Sequence, residues 1–408
     1  MSPRTLYLIA TSSWFLAFGM QGVVFAWLVT IYLREPAELV GWAQTALLLP
    51  GMMFILLAGA LADRLGPHRQ ALWAQTAAAL IPWVLISALQ FGWFNYGAMI
   101  LYAVLMGFAQ AFVTPARDGL LNHVAGERVQ HTVLLTSLCQ FSFQIVGYTI
   151  AGFADAAGAQ TILIVQSLCV SVGVVAYVAL SRRGLIKPQE HQAHSVWRGV
   201  VEGAKTVGAS PVMRLVVVQN VAMACFFMGC FIVCFPLVVR EVFAGSSADL
   251  AWLNGFNSLG LVLTILVMLR TGYVQRPGRA LLTFQGLGAV VLAVSGTMES
   301  FWLFVLLIFF WGLCGGIAMS MSRTLMQELA PPAQRARVMS FYAFSFMGAG
   351  PLGTLFCGYL SALVGPQMAI QICGIAMLVV VLVMTSTSEL WRTEFDGHAG
   401  SKAGAEQA

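Results

Sequence analysis

Residues 59–69 read GALADRLGPHR and lie between two long apolar runs. The stretch places an acid, Asp63, and two bases, Arg64 and Arg69, around Gly66, a residue type that suits a tight turn. The rest of the chain avoids charge: 9% of its 408 residues are charged and 59% are hydrophobic. Because a soluble domain carries roughly 25% charged residues, the sequence predicts a protein that faces lipid over most of its surface.

Twelve apolar runs follow one another along the chain, each near or above the length of about 20 residues that crosses a bilayer. They are too long and too continuously apolar to be strands of a membrane barrel, so helices are expected. The first run is expected to be a retained helix and not a cleaved signal peptide. The predicted spans are residues 6–32, 38–62, 69–91, 95–122, 130–156, 160–181, 212–239, 250–270, 279–297, 300–327, 336–364 and 366–388.

The basic residues predict the orientation of these spans. If the N-terminus is placed inside, every Lys and Arg except Arg34 and Arg240 falls on the inner side, as the positive-inside rule requires. A missing or extra helix would disturb this pattern, so we predict a multi-pass protein of the cell (inner or plasma) membrane with both termini in the cytoplasm. The net charge of +5 follows from the same rule and gives no reason to expect a nucleic-acid partner.

The two halves of the chain resemble each other. A shift of 206 residues superposes charged and glycine positions: Arg64 on Arg270, Gly66 on Gly272, Arg117 on Arg323, Gly147 on Gly353 and Gly152 on Gly358. A parallel repeat of six helices is a transporter architecture. We therefore predict an N-terminal bundle (1–181), a cytoplasmic linker with room for an amphipathic helix (182–211), a C-terminal bundle (212–390) and a disordered cytoplasmic tail (391–408).

The stretch 59–69 resembles the loop signature of the major facilitator superfamily, G-x-L-a-D-R-x-G, up to Pro67, where the family usually has a base. Five residues occupy the matching places: Gly59, Asp63, Arg64, Gly66 and Arg69. The resemblance covers essentially the whole chain. The resemblance implies an all-α integral membrane protein whose twelve transmembrane helices form two pseudo-symmetric six-helix bundles. It also implies that the protein is a transporter and not an enzyme.

Within this loop, Asp63 lies at the inner end of a helix and is placed to pair with Arg117 at the end of the fourth span. It would also face the positive N-terminus of the eleventh span, near Ala336. Gly59 would let a neighbouring helix approach closely. Such a pair bridges the halves only while the inner side is closed, so we predict a conformational latch; ordinary loop charges are the alternative. The predicted latch residues are Gly59, Asp63, Arg64, Gly66, Arg69 and Arg117.

The segment 323–358, RTLMQELAPPAQRARVMSFYAFSFMGAGPLGTLFCG, resembles the drug-exporter branch of the superfamily that includes macrolide and enterobactin exporters. Its glycines and proline are similar to an antiporter signature, although that signature normally lies in the fifth span, which has no proline here. Close helix packing is the alternative role of such small residues. The candidate packing residues are Gly147, Gly152, Gly350, Pro351, Gly353 and Gly358.

No acidic residue lies at the predicted midplane of a span, which argues against a strongly charged substrate. Uncharged amides and aromatic rings remain, and they suit an amphipathic, largely neutral organic molecule. Hydrogen bonding between helices is the alternative role of each amide. The candidate cavity residues are Gln21, Gln110, Gln140, Asn220, Asn257 and Phe227, and Asp118 is the candidate for proton coupling.

These patterns predict secondary active transport by alternating access, with proton-driven export of amphipathic compounds as the first hypothesis. A uniporter or an importer of a neutral metabolite is the alternative. The chain lacks the phosphate-binding pattern G-x-x-x-x-G-K-[ST], so ATP is not expected as the direct driver. The eight cysteines form no C-x-x-C pair, and no metal or other cofactor is expected. The expected partners are a small-molecule substrate, protons and the bilayer, and the protein is expected to act as a monomer.

Overall fold

The computed structural model describes residues 2–125, 129–182, 196–271, 274–331, 334–387 and 389–392, which form helices joined by short turns, with no β-strand among them. Twelve long helices follow the twelve predicted spans. They are α1 (Pro3–Tyr32), α2 (Ala37–Leu65), α3 (Pro67–Phe91), α4 (Tyr96–Ala125), α5 (Val129–Ala151), α6 (Ala159–Ser181), α7 (Pro211–Glu241), α8 (Ser247–Thr271), α9 (Pro277–Ser295), α10 (Phe301–Leu329), α11 (Arg335–Val364) and α12 (Pro366–Thr387). In the described part of the chain, all of these except α5 are long and apolar enough to cross a membrane.

Prolines and small polar residues set where several of these helices begin. The Ser2 hydroxyl accepts a hydrogen bond from the Thr5 N–H at 3.1 Å, and Pro3 occupies the first turn of α1. Ser210 caps α7 in the same way. Gly66 alone separates α2 from α3, with φ of +86°, a region that favours glycine. The tight turn expected within residues 59–69 is therefore present.

Helices α1 and α7 both contain π-helical turns. These turns span Leu28–Tyr32 in α1, and Met223–Met228 and Cys230–Cys234 in α7. Such turns are rare in proteins as a whole, and many of those that occur lie at functional sites. Because α1 and α7 begin the two predicted halves, the same kind of departure from the α-helix occurs in the first helix of each half.

The helices group into two compact units that interleave along the chain. Unit 1 consists of Met1–Gly199, Met228–Gly255 and Met347–Ala369, and unit 2 consists of Val200–Phe227, Phe256–Phe346 and Ile370–Ala408. The division into bundles at 181 and 212 concerns the sequence repeat and stays a prediction. Most of the predicted tail, 393–408, and the linker residues 183–195 lie outside the described residues.

The core of unit 1 is built where α1, α3, α4 and α6 meet. Nine buried side chains form this cluster: Leu6, Tyr7, Ala10, Ala71, Ala116, Leu120, Ala176, Tyr177 and Leu180. Lipid tails are as apolar as these side chains, so the hydrophobic effect does not drive the helices together within the membrane. Close van der Waals packing holds them together instead. Leu6 lies in the first turn of α1 and Leu180 in the last turn of α6, so the start of α1 and the end of α6 lie at the same end of unit 1.

Buried glutamines of α3 connect it to its neighbours in unit 1. Gln70 Nε2 donates to the Ala58 carbonyl of α2 at 2.8 Å and to the Phe112 carbonyl of α4 at 3.0 Å. Gln75 Nε2 donates to Ser13 Oγ of α1 and to the Val170 carbonyl of α6, both at 3.2 Å. A buried amide must find partners, and these bonds fix α3 among four helices.

A linker helix, Val196–Ala209, contacts the start of α11 through its unit 2 residues. The Glu202 carboxylate pairs with the Arg337 guanidinium, and Thr206 Oγ1 donates to Gln334 Oε1 at 2.5 Å. A Cβ added to Gly203 would come within 2.8 Å of the Arg337 carbonyl carbon. The described part of the linker therefore forms a helix, and polar contacts and close backbone packing hold that helix against α11.

Candidate functional site

Residues 59–69 form the last turns of α2, the Gly66 turn and the first turn of α3. The backbone of Asp63 and Arg64 belongs to α2, but their side chains lie outside the described part of the structure. Arg69 is exposed. A Cβ added to Gly59 would meet no described atom within 4 Å, so the close helix approach expected at Gly59 is not found: this face of α2 is open.

Arg117, the predicted partner of Asp63, makes contacts with two other residues. Its Nη2 lies 3.2 Å from a carboxylate oxygen of Asp118, and its guanidinium carbon lies 4.7 Å from the centre of the Phe15 ring. The Asp118 side chain is 65% exposed, and an exposed ion pair is worth little. The Asp63–Arg117 latch and the coupling role of Asp118 stay predictions.

Two predicted cavity residues, Gln21 and Gln110, meet inside unit 1. Gln110 Nε2 on α4 donates to Gln21 Oε1 on α1 at 3.2 Å. Gln21 is 4% exposed, and its own Nε2 has no acceptor among the described residues. The pair therefore presents one unused amide donor within a membrane-spanning helix, where an oxygen atom of a bound molecule or a water would satisfy it.

Gln110→Leu is expected to destabilise the protein because it leaves both ends of the Gln21 amide buried and unpaired. We expect a loss of about 1–3 kcal/mol of unfolding free energy. The double variant Gln21→Leu/Gln110→Leu removes both polar groups and is expected to recover most of that loss. Thermal unfolding of the purified proteins measures both effects.

Gln140→Leu is the matched control for this prediction. Gln140 is half-buried on α5 and has no hydrogen bond to another described residue, so little change is expected. If the single and double variants unfold at the same temperature, Gln21 and Gln110 are not coupled.

A second set of buried amides lies in unit 2. Asn220 Nδ2 on α7 donates to the Tyr342 carbonyl at 3.0 Å and to Ser345 Oγ at 2.9 Å, both on α11. The neighbouring Gln219 is fully buried; its Oε1 accepts from Ser322 Oγ at 3.3 Å, and its Nε2 has no acceptor among the described residues. Sequence reasoning selected Asn220 and missed Gln219. Like α1, α7 therefore carries a buried amide with an unused donor.

Two further candidates from the sequence, Phe227 and Asn257, contact α10 in unit 2. The buried ring of Phe227 packs edge-on against Trp311, with ring centres 5.5 Å apart and planes at 67°. Asn257 Nδ2 lies 3.5 Å from the Ile308 carbonyl oxygen, and a Cβ on Gly312 would come within 3.1 Å of the same nitrogen. Asn257 is thus at a tight contact between α8 and α10. A cavity role for these residues stays a prediction.

Sequence reasoning missed a polar cluster at one end of unit 1. We call this the distal end; it carries loops 33–36, 92–95, 152–158 and 242–246, opposite the start of α1. Near the end of α7, Arg240 Nη1 donates to the carbonyls of Thr30 at 3.1 Å and Glu35 at 2.5 Å. Its Nη2 pairs with Glu241. A base from the second half of the sequence therefore holds the end of α1.

Asp155 makes a second connection at the distal end, from the one-turn helix Ala154–Ala157. Its carboxylate accepts hydrogen bonds from Trp27 Nε1 at 3.0 Å and from the Ser247 N–H at 2.6 Å. In return, Ser247 Oγ accepts from the Asp155 N–H at 3.1 Å and donates to the Gly152 carbonyl at 2.9 Å. Ser247 is the first residue of α8, so the carboxylate also meets the positive end of that helix.

The repeat-related glycines Gly152 and Gly358 lie at two equivalent contacts of the distal end. A Cβ on Gly152 would come within 2.8 Å of the Ala251 Cβ on α8. A Cβ on Gly358 would come within 3.0 Å of the Gly41 Cα on α2. Small residues thus bring α5 against α8, and α2 against α11, so each contact joins one helix from each half of the sequence.

The other predicted packing residues also lie in unit 1. Gly353 of α11 lies against α7, where a Cβ on Gly229 would come within 2.6 Å of the Gly353 carbonyl carbon. The Pro351 carbonyl accepts from Thr45 Oγ1 of α2 at 3.3 Å. A Cβ on Gly350 would make only ordinary contacts, the nearest with Met228 at 3.4 Å. Gly147 packs against α1.

Comparison with known proteins supports this reading of the fold. The family model described as transmembrane secretion effector matches residues 4–403. Multidrug efflux pump Tap of Mycolicibacterium fortuitum is 28% identical over 397 residues, which cover 93% of this chain and 94% of that protein. The protein of the same name from Mycobacterium tuberculosis is 24% identical over 379 residues, covering 89% of this chain and 88% of that protein.

Solved structures share the architecture. The nucleoside transporter NupG superposes with a TM-score of 0.74 at 13% identity, covering 95% of this chain and 99% of its own. A bacterial homolog of the human lysosomal transporter Spinster, in an inward-facing and unoccupied conformation, gives a TM-score of 0.67 at 12% identity, covering 95% of this chain and 96% of its own.

The chain belongs to the transmembrane secretion effector family and is a membrane transporter of the major facilitator type. The twelve-helix fold and the superfamily resemblance that residues 59–69 carry are both confirmed. Since this is a family of transporters, the protein is not an enzyme.

Proposed function

We propose that this transporter exports amphipathic, largely neutral organic compounds from the cytoplasm. The observation that carries the proposal is that α1 and α7 each hold a buried amide, Gln21 and Gln219, with an unused donor and no formal charge. Eight residues after Gln219 on α7, the Phe227–Trp311 contact offers aromatic surface for an apolar group. Relatives named multidrug efflux pumps match nearly the whole chain, and this supports the outward direction.

In the proposed orientation both termini are cytoplasmic and the chain lies in the cell (inner or plasma) membrane. Arg34 and Arg240 are the two bases that the positive-inside rule assigns to the outside. Loop 33–36 and Arg240 both lie at the distal end, which supports this assignment. The distal end is then the extracellular side of the protein.

Transport then requires two alternative sets of contacts. The Asp155–Ser247 and Arg240 contacts, with the glycine contacts of α5–α8 and α2–α11, close the outer side and must separate for release. The predicted Asp63–Arg117 latch closes the inner side instead. Each set stabilises one state, so substrate and coupling ion act by shifting the balance between them.

Protons drive the cycle in this proposal. The predicted midplanes contain no acid that could carry the proton. Asp63 and Asp118 therefore remain as the candidate proton carriers. The transporter acts as a monomer in this proposal, so one chain forms the whole path of the substrate.

Expression in bacteria that lack their own efflux pumps is expected to lower the accumulation of a lipophilic fluorescent dye several-fold. A protonophore is expected to restore accumulation, because it removes the driving gradient. Asp63→Asn is expected to reduce export to background without changing the amount of protein in the membrane. Glu299→Gln, which neutralises an exposed acid between α9 and α10, is the control and is expected to export normally.

If cells that express the protein accumulate as much dye as cells that do not, the proposal of broad export is overturned. Substrate entry that increases with the protein and ignores the protonophore would instead support the uniporter or importer of a neutral metabolite. Full export by the Asp63→Asn variant would contradict the predicted latch but would leave the transport proposal intact.

A further inference from the structure

We propose that a groove on the lipid-facing side of unit 1 binds one acyl chain of an anionic phospholipid, whose phosphate meets two arginines at the groove's end. The groove has a volume of about 320 Å³ and runs between α1, α5 and α6. Leu8 and Leu16 of α1, Phe143 of α5 and Val172 of α6 form much of its wall. This site is separate from the amides and the distal contacts, and it does not depend on the proposed direction of transport.

The chemistry of the wall fits a hydrocarbon chain. Most lining side chains are apolar, and two of the three hydroxyls that reach the groove are already engaged. Ser13 Oγ donates to the Ala10 carbonyl at 2.9 Å, and Thr5 Oγ1 lies 2.7 Å from Ser2 Oγ. A polar solute would lose its hydration there and gain few hydrogen bonds in return.

The groove also has the length and the opening that a lipid requires. From Thr5 to Leu16 it follows α1 for about 16 Å at a rise of about 1.5 Å per residue. That is roughly half of the ~30 Å hydrocarbon thickness of a bilayer, the depth of one leaflet. Phe143 is 38% exposed and Val172 is 54% exposed, so the groove is open at the surface of the protein. In this proposal that opening faces the membrane.

Charge at one end of the groove selects the headgroup. Arg4 precedes the lining residue Thr5, and Arg182 directly follows the last residue of α6, where its side chain is exposed. Leu6 and Leu180 pack in the same cluster, so both arginines lie at the same end of the α1–α6 pair. Basic residues beside an apolar groove between membrane helices are complementary to an anionic lipid headgroup.

Native mass spectrometry of the purified full chain tests this site directly. The protein is incubated with phosphatidylglycerol or with phosphatidylcholine of the same acyl composition, and retained lipid is counted. We expect phosphatidylglycerol to be retained roughly tenfold better, from the attraction of two bases near the headgroup. Arg4→Gln/Arg182→Gln is expected to remove that preference, and Arg214→Gln, an exposed base at the start of α7, is expected to keep it.

Filling the groove tests where the acyl chain lies. Cys169→Trp places a large ring in the groove and is expected to abolish retention of phosphatidylglycerol. Leu168→Trp changes the adjacent residue, which is 60% exposed and does not line the groove, and is expected to retain the lipid. If Cys169→Trp does not fold, Val172→Phe with Val175→Phe as its control makes the same comparison.

Equal retention of the two lipids, or equal retention by Cys169→Trp and Leu168→Trp, overturns the proposal. Displacement of bound phosphatidylglycerol by a lipophilic fluorescent dye would show that the groove binds such organic compounds, and the lipid assignment would fail. Because none of these measurements uses transport, their failure is distinct from failure of the proposed export.

Discussion

Gly147→Leu is expected to prevent the protein from folding, because the backbones of α1 and α5 touch at this residue. A Cβ on Gly147 would come within 2.9 Å of the Met20 nitrogen and 3.1 Å of the Gly19 Cα, and the Leu16 carbonyl oxygen is closer still. From the other side, a Cβ on Gly19 would come within 3.1 Å of the Gln144 Cα. These neighbours are backbone atoms, which cannot rotate away as a side chain can, so any added carbon separates the helices.

The size of this effect depends on how far the helices must move. Overpacking costs typically about 1–3 kcal/mol, so Gly147→Ala is expected to lower the thermal unfolding temperature and still fold. The three additional carbons of leucine exceed what a native stability of about 5–15 kcal/mol tolerates at a helix crossing. Folded yield by size-exclusion chromatography and thermal unfolding of the purified protein measure both variants.

Gly348 provides the matched control on α11, because a Cβ there would meet no described atom within 4 Å. Gly348→Ala and Gly348→Leu are expected to fold with nearly normal yield. A Gly147→Leu protein as abundant and as stable as Gly348→Leu would show that α1 and α5 do not cross so closely.

Asp155→Ala is expected to open the distal end of unit 1 and to stop the transport cycle. The alanine leaves the Trp27 Nε1 and the Ser247 N–H without their shared acceptor. Hydrogen bonds to a charged group contribute roughly 1.5–3 kcal/mol, and each 1.4 kcal/mol is about a tenfold change in an equilibrium constant. We therefore expect the open form to become roughly 10- to 100-fold more populated, and export to fall because the outer side no longer closes.

Hydrogen exchange of the purified protein, followed by mass spectrometry, measures this opening without added labels. Faster exchange is expected at the end of α1 and at the start of α8. Asp249→Ala is the control: the Asp249 carboxylate, in the first turn of α8, accepts from the N–H and hydroxyl of Ser246, the residue directly before that helix. It is expected to affect that turn only. Unchanged exchange around Trp27 in Asp155→Ala would contradict a closing role for Asp155.

The sequence predicted the helices well because a membrane imposes one requirement on the backbone. Every N–H and C=O within the lipid needs an internal partner, so a long apolar run becomes a helix whatever its neighbours are. The helix starts were less accurate: α3 begins at Pro67 and α9 at Pro277, each two residues before its predicted start. In both cases a proline favours the first turn and extends the helix beyond the apolar run.

The candidate site was predictable only in part. Gln21 and Asn220 could be singled out because amides are scarce in apolar helices, whereas their partners Gln110 and Tyr342 lie 89 and 122 residues away. Gln219 was missed although it adjoins Asn220, because composition does not reveal which amide is left with an unused donor. The Asp155 contacts were missed because Trp27 and Ser247 lie 128 and 92 residues from Asp155.

By itself, the sequence determined that the chain forms twelve membrane helices, that Gly66 ends α2 and that the fold is of the major facilitator type. Local patterns suffice for these features, since hydropathy, helix-starting prolines and one loop motif act within a few residues. Only the tertiary structure decided which glycines bring backbones together, so that Gly147 is crowded and Gly59 is open. Lipid and helix interiors are equally apolar, so a hydrophobic pattern cannot tell a packed face from a lipid-facing one, and only the folded contacts separate them.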